Sequence, residues 1–500
     1  MNIEYSIRIR VNYVDKIMKQ LSYIPFLFLI LLASCSSSNL PADPEPSLSL
    51  EDCVLTSATG RQVDAQCGTL TVPEDRANPN GRQIDLHIAV IPAISRSPEP
   101  DPVFLLAGGP GQSAIEAFPG TFTLLFNVHQ DRDIVLVDQR GTGKSNPLRC
   151  IDPEVEVMTD EEALVILKEC PKSLDADVRF YTTEIAMTDL DEVRAALGYD
   201  TINVYGASYG TRAALTYLRM YSEHVRTVTL DSVVDPSFVM FMDAAEDGQE
   251  ALDQFFARCE ADEACAQTFP NLRSEFDGLV ARLAESPAEI VIPHPLTNKP
   301  TDVEVTDTFI TSMVFNILYV PDLVAALPLG IHQAYAEENY IPLISQAFMV
   351  NAGLYDGMFY AVTCTEDAPL INADEAAQKS QDSVFGDRTE VFAEVCESWQ
   401  KGQVSPEFRE PVVSDVPVLI LSGEADPITP PSHAEKVAES LSNDLHLIFA
   451  NMGHGNMAGV CGSDIFTAFI KSGTLSGLET DCVDAVVPPP FFVDFSGPRP

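Results

Sequence analysis

The sequence predicts an α/β fold, in which helices cover a mostly parallel central sheet, and two observations support this prediction. Short apolar runs recur along the chain, as expected for strands that are buried on both faces of a sheet. Patterns with helical spacing lie between them, and the one over residues 189–197 ends at Gly198, a residue type common after helix ends. The predicted strands are residues 103–106, 134–137, 202–205, 225–230, 418–421 and 445–450.

The 500-residue chain is long enough for one large domain with an insertion. The segment 237–405 is rich in helix formers and broken by Pro and Gly, so we predict a mainly helical cap over the carboxyl edge of the sheet. The predicted divisions are a signal segment at 1–35, a tether at 36–50, the sheet domain at 51–236 and 406–485, the cap at 237–405 and a proline-rich tail at 486–500.

The start of the chain predicts export. Basic residues precede an apolar run at 24–33, which is too short to span a bilayer because a span needs about 20 apolar residues. The run ends in Leu-Ala-Ser-Cys, and this resembles the bacterial lipobox, in which the cysteine thiol carries lipid after cleavage. We therefore expect a lipoprotein anchored through Cys35 in the membrane of a bacterial envelope, facing the periplasm. Met18 is an alternative start of the chain.

The charge balance excludes one class of partner. Thirty Lys and Arg residues stand against 74 Asp and Glu residues, which gives a formal net charge of −44. Nucleic-acid binding needs basic patches that displace counterions, so no nucleic-acid partner is expected. The excess of acidic residues indicates a well-solvated surface. The alternative interpretation is a negative electrostatic field that attracts cationic peptide substrates. No obligate protein partner is evident from the sequence.

The cysteines suit an oxidising compartment. Without Cys35, ten of the 11 cysteines remain, and an exported protein is expected to pair them as disulfides. Pairing between neighbours along the chain is the simplest framework, although other pairings stay open. The neighbour pairs are Cys53/Cys67, Cys150/Cys170, Cys259/Cys265, Cys364/Cys396 and Cys461/Cys482. No CxxC pair occurs, and Asp138 stands where a phosphate-binding loop ending at Ser145 needs glycine, so we predict no metal and no cofactor.

Gly206-x-Ser208-x-Gly210 matches the nucleophile elbow of the α/β-hydrolase fold, a sharp turn that exposes a serine above the sheet. The motif alone is weak, and a Gly/Ser turn without chemistry is the alternative. Here it follows a predicted strand and precedes a helical run at 211–220, as the elbow requires. Ser208 is therefore the predicted nucleophile.

A serine nucleophile needs a histidine base, which in this fold comes last in the order Ser, acid, His. Among the late histidines, His446 lies within a strand pattern and His433 in the first turn of a helix. His454 follows the last predicted strand in a Gly-His-Gly loop, from which an imidazole can reach the serine. We therefore predict His454 as the base.

The acid that orients the base is predicted to be Asp426, which follows the strand at 418–421 through a short turn. Asp231 and Asp235, which follow the strand after the nucleophile, are the alternatives, and Glu424 is interpreted as a turn residue. The oxyanion of the reaction needs two backbone N–H donors.

The predicted oxyanion donors are the N–H groups of Tyr209, directly after the nucleophile, and of Gly109. Gly109 lies in a Gly-Gly-Pro-Gly turn, where Pro110 has no N–H to offer.

These motifs together resemble the proline iminopeptidase and tripeptidyl aminopeptidase family of α/β-hydrolases over nearly all of residues 51–485. One departure is Ala107, where many members have His. The motifs are Gly108-Gly109-Pro110-Gly111, Asp138-Gln139-Arg140-Gly141, Gly206-x-Ser208-Tyr209-Gly210, Gly423-x-x-Asp426-x-x-Thr429-Pro430 and Gly453-His454.

The resemblance implies release of amino acids or short peptides from free N-termini through an acyl-enzyme. It also implies cap carboxylates for the substrate's α-ammonium group. Glu366 and Asp367, beside Cys364, are the candidates, with a solvated acidic loop as the alternative. A carboxylic-ester hydrolase of the same fold and a non-catalytic lipoprotein are the competing functions.

Overall fold

The computed structural model describes residues 48–57, 60–152, 160–293, 298–347 and 353–499. The predicted signal segment, Cys35 and most of the predicted tether lie outside the described residues. Within the described ranges, no helix has the length and apolar character needed to cross a membrane.

The main sheet has the strand order β1-β2-β3-β5-β4-β6-β7-β10-β11. The pairs from β5 through β4, β6, β7 and β10 to β11 are parallel, which confirms the predicted mostly parallel sheet and all six predicted strands. The strands are β1 (Leu50–Thr56), β2 (Gln62–Pro73), β3 (Gln83–Ile91), β4 (Val103–Leu106), β5 (Ile134–Val137), β6 (Ile202–Ala207), β7 (Val225–Asp231), β8 (Ala288–Pro293), β9 (Pro300–Val305), β10 (Val418–Gly423) and β11 (Asp444–Phe449).

Three strands at one side of the sheet were not predicted. β1, β2 and β3 pair antiparallel with one another, and β3 also pairs antiparallel with β5. Antiparallel strands at a sheet margin can expose one face to water and then alternate polar and apolar residues. β3 begins with such an alternation, in which Ile84 and Leu86 are buried and Gln83 and Asp85 are exposed. A search for continuous apolar runs misses strands of this kind.

Helices fill the intervals between strands and most of the segment before β10. The α-helices are α1 (Ala114–Ala117), α2 (Phe126–His129), α3 (Asp160–Glu169), α4 (Thr183–Ala196), α5 (Tyr209–Met220), α6 (Ala244–Ala261), α7 (Glu263–Thr268), α8 (Leu272–Glu285), α9 (Asp307–Leu318), α10 (Pro321–Val324), α11 (Leu327–Ala336), α12 (Ile341–Ala347), α13 (Asp356–Glu366), α14 (Ala373–Ser380), α15 (Thr389–Cys396), α16 (Pro431–Ala438) and α17 (Val460–Ser472).

The central strands bury both faces. Phe104 and Leu106 of β4 pack in one apolar cluster with residues of α4 and α5. Val103 and Leu105, which alternate with them, pack on the opposite face with residues of α17. This arrangement explains why β4 is apolar at every position, because each side of the sheet is covered by helices.

The predicted cap, 237–405, does not pack as one unit. Residues of α6 through α12 and the β8–β9 hairpin form their own apolar cluster. In contrast, Met358 and Val362 of α13, Phe392 of α15 and Trp399 join the cluster beneath the sheet. The predicted cap boundary at residue 405 therefore comes too late. α13 and α15, which precede it, already bury apolar residues against the sheet.

All five neighbour disulfides form in the structure, so the predicted pairing is confirmed. They join Cys53 to Cys67, Cys150 to Cys170, Cys259 to Cys265, Cys364 to Cys396, and Cys461 to Cys482. The Cys364–Cys396 bond links α13 to α15, and the Cys53–Cys67 bond links β1 to β2.

Candidate active site

Ser208 stands between the end of β6 and the start of α5. Its backbone has φ 55° and ψ −126°, a conformation that is strained for a residue with a side chain and is found at functional sites. The flanking glycines permit the tight turn. A Cβ atom on Gly206 would lie 2.2 Å from the carbonyl oxygen of Gly210, and one on Gly210 would lie 2.3 Å from that of Leu106.

Asp426 and His454 are joined by a hydrogen bond of 2.7 Å between Asp426 Oδ2 and His454 Nδ1. Asp426 lies in the turn after β10, and His454 lies in the loop after β11. The Asp426 carboxylate also accepts N–H groups from Ile428 at 3.1 Å and Thr429 at 3.0 Å, and the Thr429 hydroxyl at 2.8 Å. A bond at Nδ1 leaves Nε2 as the ring nitrogen for a serine proton.

Asp426 is held ionised, and its charge favours the protonated form of His454. Burial favours a neutral Asp426, but His454 and the backbone donors outweigh this effect and lower the pKa of Asp426 to about 2. Burial likewise opposes a charged His454, yet Asp426 and the more distant Asp231 raise its pKa above 6.5. An ionised carboxylate beside this imidazole stabilises the imidazolium that forms when a serine loses its proton.

The Thr429 side chain was missed as a functional residue by the sequence analysis. Its hydroxyl oxygen lies 3.2 Å from His454 Nδ1 as well as donating to Asp426. In the sequence, Thr429 is marked only by its position in the Asp426-x-x-Thr429-Pro430 motif, which does not reveal its contact with His454.

The alternative acids hold other groups. The Asp231 carboxylate accepts the N–H groups of Asn456 and Met457, both at 2.8 Å, and so fixes the loop that carries His454. Asp235 contacts His433 Nδ1 at 2.5 Å. The third late histidine, His446, lies in β11 as expected, and its Nε2 is 2.9 Å from Ser422 Oγ.

A cavity of about 200 Å³ opens beside Ser208. Gly109 and Tyr209, which carry the predicted oxyanion donors, line it together with Ser208. The neighbouring N–H of Gly108 donates to Gln112 Oε1 at 3.2 Å and is engaged there. Aromatic side chains form much of the remaining wall, contributed by Phe238, Phe241, Phe315, Tyr319, Phe359 and Phe385.

The cavity wall also connects to the base. The ring of Tyr319 lies 5.1 Å from that of His454, edge to face. The backbone N–H of His454 donates to the backbone carbonyl oxygen of Tyr319 at 2.9 Å. Thr429, another wall residue, contacts Asp426 and His454. Tyr319 and Thr429 therefore connect the Asp426–His454 pair to the cavity that Ser208, Gly109 and Tyr209 also line.

Glu366 and Asp367 are placed elsewhere, contrary to their predicted exposure to substrate. Both are buried, and neither lines the cavity beside Ser208. Thr183 donates its N–H and its hydroxyl to Glu366, at 2.6 and 2.9 Å. Arg212 donates two N–H groups to Asp367, both at 3.1 Å, and Arg409 donates a third at 2.8 Å. The carboxylates are already bound by protein groups because α13 packs onto the sheet domain.

Within the described ranges, no group of three or more His, Cys, Asp or Glu residues is arranged to hold a metal ion.

Comparison with curated proteins finds relatives along most of the chain. The tripeptidyl aminopeptidase of Streptomyces lividans is 25% identical over 479 residues, covering 88% of this chain and 87% of the relative. Serine protease Hip1 of Mycobacterium tuberculosis (strain ATCC 25618 / H37Rv) is 25% identical over 460 residues, covering 84% and 87%. Carboxylesterase B of Mycobacterium tuberculosis (strain CDC 1551 / Oshkosh) is 27% identical over 429 residues, covering 76% and 79%.

Among solved structures, a proline iminopeptidase of Mycobacterium smegmatis matches with a TM-score of 0.40 and 16% identity, covering 81% of this chain and 96% of that one. A family model described as the alpha/beta hydrolase fold matches residues 101–457, a span that contains Ser208, Asp426 and His454. Because this match covers more than half of the 500-residue chain, the chain belongs to the alpha/beta hydrolase family.

Proposed function

We propose that this hydrolase is a serine exopeptidase, which releases amino acids or short peptides from free N-termini through an acyl-enzyme on Ser208. The observation that carries the proposal is the Asp426–His454 pair beside a cavity that contains a strained serine. The names of two relatives that align along most of the chain, a tripeptidyl aminopeptidase and a serine protease, support peptide as the substrate.

The proposed reaction uses Ser208, His454 and the predicted oxyanion donors in turn. Ser208 Oγ attacks the scissile carbonyl carbon while His454 takes the serine proton, and the N–H groups of Gly109 and Tyr209 stabilise the oxyanion. Collapse of this intermediate breaks the C–N bond, and the leaving amine takes the proton from His454. A water molecule then gives a proton to His454 and attacks the acyl carbon. Collapse of this second intermediate breaks the bond to Ser208 Oγ, His454 returns the proton to Oγ, and the acid product is released.

A carboxylic-ester hydrolase is the second candidate. Two observations favour it: one relative is named carboxylesterase B, and the described wall of the cavity holds no carboxylate that would meet a substrate ammonium. The chemistry at Ser208 would be the same, with an alcohol as the leaving group.

Ser208→Ala tests the shared chemistry. Loss of the nucleophile costs about 10⁶-fold in kcat in a comparable serine peptidase, and the same scale is expected here with unchanged circular dichroism. A fluorophosphonate should label wild type on Ser208 alone. Labelling that persists in Ser208→Ala would place the nucleophile elsewhere.

Substrate end-recognition separates the two candidates. Purified protein is assayed with tripeptidyl, aminoacyl and acyl-ester chromogenic substrates, each with a free or an acetylated amine. An exopeptidase that recognises the free N-terminus should lose roughly 100-fold in kcat/KM when the amine of its tripeptidyl substrates is acetylated. Equal hydrolysis of blocked and free substrates would leave the esterase.

We also propose that Cys35 carries lipid and anchors the protein in a bacterial envelope, as the lipobox-like sequence indicates. Cys35→Ser should leave the precursor uncleaved or release the protein from the membrane fraction. A cleaved Cys35→Ser protein that still fractionates with membranes would contradict the proposal. Ser36→Ala, one residue further on, is the matched control and should not change fractionation.

A further inference from the structure

The ionisable groups in the described wall of the cavity beside Ser208 are cations, apart from tyrosine hydroxyls. They belong to Arg212 and Arg388, and no Asp or Glu among the described residues lines the cavity. Arg212 is bound from behind by Asp367. Arg388 lies over the ring of Phe315, 5.3 Å from its centroid, and donates to Ser312 Oγ at 3.0 Å.

Most of the remaining wall is apolar, with Asn316 and Thr429 among its polar residues. Five phenylalanines, Met240 and Val234 contribute to it, and Phe315 and Phe385 contact each other edge to face at 5.2 Å. The volume of about 200 Å³ is below the range of about 300–1,000 Å³ that is usual for drug-sized ligands. The cavity is therefore of a size for a single large side chain.

The position of the base indicates which part of a substrate fills this space. The leaving amine must lie next to His454 to receive its proton. His454 is not among the described residues that line the cavity, whereas Ser208 and the residues of both predicted oxyanion donors are. The group that enters the cavity is thus the acyl side of the scissile bond, whose carbonyl is bound by Gly109 and Tyr209.

We infer that the cavity binds the side chain of the residue whose carbonyl is attacked, and that it selects a large uncharged side chain over lysine or arginine. This inference rests on the proposed peptidase function and adds its substrate class. A buried cation there would lose its hydration, and no described residue of the wall would offer it a carboxylate partner. The charge of Arg212 is already met by Asp367 and by Glu366, which lies 3.7 Å away, so these carboxylates are engaged behind the wall. The net charge of −44 does not offset this, because surface charges act through water and are screened by salt.

The same reasoning applies to the free amine of a single-residue substrate. Its α-ammonium is bonded to the carbon beside the scissile carbonyl and would lie at the cavity mouth. In longer substrates, the ammonium lies at least one residue further away. We therefore expect the enzyme to cleave a substrate such as Ala-Ala-Phe-aminomethylcoumarin better than Phe-aminomethylcoumarin.

The test compares tripeptidyl aminomethylcoumarins that differ only in the residue before the scissile bond. Norleucine and lysine form the central pair, because both are unbranched and only lysine adds a charge. Phenylalanine, leucine and norleucine should be cleaved with kcat/KM roughly 100-fold or more above lysine. Lysine cleaved as fast as norleucine would overturn the inference, while Ser208-dependent cleavage would leave the proposed function standing.

An isosteric variant checks that the cavity is responsible. Asn316 lines the cavity, and Asn316→Asp places a carboxylate there without a change of shape. The norleucine-to-lysine ratio should fall about tenfold or more, since the lysine gains a charge partner. Asn443→Asp adds the same charge at an exposed site just before β11 and should leave the ratio unchanged. An equal ratio in wild type and Asn316→Asp would overturn the inference.

Failure of every peptide substrate with hydrolysis of esters would overturn the proposed function. The same norleucine and lysine pair, as acetylated p-nitrophenyl esters, then measures the selectivity of the cavity directly. A kcat/KM for the norleucine ester roughly 100-fold above that for the lysine ester would support the inferred selectivity for an uncharged side chain. Equal kcat/KM values would overturn it.

Discussion

Nδ1 of His433 lies 2.5 Å from Oδ2 of Asp235, so a buried histidine joins helix α16 to the segment after β7. On its other side, Nε2 lies 3.6 Å from Oδ2 of Asp247, which belongs to cap helix α6. Lys436 is also near, with its ammonium 3.5 Å from Asp235. The His433 ring contacts Phe238, a wall residue of the cavity, edge to face. A charged His433 therefore links the sheet domain to the cap.

The first prediction is a loss of stability at high pH that depends on His433. Burial alone would lower the pKa of His433, but Asp235 and Asp247 raise it to about 9. Because the folded pKa is above the unfolded value near 6.5, the stabilisation is complete below pH 6.5 and is lost as the pH rises through about 9.

Because the two pKa values differ by about 2.5, the loss is about 3–4 kcal/mol at 1.4 kcal/mol per pKa unit. It is measured by urea unfolding at pH 6, 8 and 10. His433→Gln should not show this component, and His446→Gln is the matched control. The same decline in wild type and His433→Gln would contradict the prediction.

The second prediction concerns Asp426→Asn. The amide cannot hold His454 in the tautomer that accepts the serine proton, so kcat should fall about 10⁴-fold with little change in fold. In wild type, the raised pKa of His454 places the acid limb of kcat/KM above pH 6.5, since the base must be neutral to act. Glu424→Gln, two residues away in the same turn, is the control; if it were as inactive as Asp426→Asn, the assignment of the acid would fail.

The third prediction is that Asp367 supports the fold rather than substrate binding. Asp367→Asn removes the buried carboxylate that accepts from both Arg212 and Arg409, which should lower the free energy of unfolding by about 3–5 kcal/mol. Glu366, 3.7 Å from Arg212, remains in the variant. Glu375→Gln, which breaks a pair with Lys379 in a largely exposed setting, should cost about 1 kcal/mol or less.

Denaturant unfolding measures both variants. The preference for free over acetylated substrates should not change in Asp367→Asn. A selective loss of that preference would contradict the prediction, because it would mean that Asp367 binds the substrate's amine.

The fourth prediction compares two disulfides. Cys364–Cys396 closes a loop with a sequence separation of 32, and Cys259–Cys265 one of 6. The chain-entropy model gives about 3–4 kcal/mol for the longer loop and about 2 kcal/mol for the shorter. Paired Cys→Ala variants, measured by urea unfolding, should show this order. A larger loss from the shorter loop would mean that local packing, rather than loop closure, sets the effect.

The sequence was sufficient for the parts of the site that local motifs define. The glycines around Ser208 are required by a turn whose backbone leaves no room for Cβ atoms. Asp426 and His454 follow successive strands, and parallel neighbours bring their carboxyl ends together, as the β10–β11 pairing shows. Chain order and turn chemistry thus predicted an Asp–His pair that lies 28 residues apart in sequence.

Long-range partners were not available from the sequence. Glu366 and Asp367 were predicted as an ammonium site because they are an acidic pair beside Cys364. Their partner Arg212 lies 155 residues from Asp367 in the chain, which no local pattern reveals. The paired guanidinium groups, and hence the absence of carboxylates from the described cavity wall, depend on the packing of α13 against α5. The cavity's preference is consequently a property of tertiary structure alone.

The disulfide at the margin of the sheet has a mechanical consequence. β1 is the outermost strand of the sheet. A pulling force applied on the amino-terminal side of Leu50 would break its pairing with β2 sequentially, one residue pair at a time. The Cys53–Cys67 bond stops the tear after Leu50, Glu51 and Asp52. Tension beyond that point passes through a covalent link into β2, which is held on its other side by its pairing with β3.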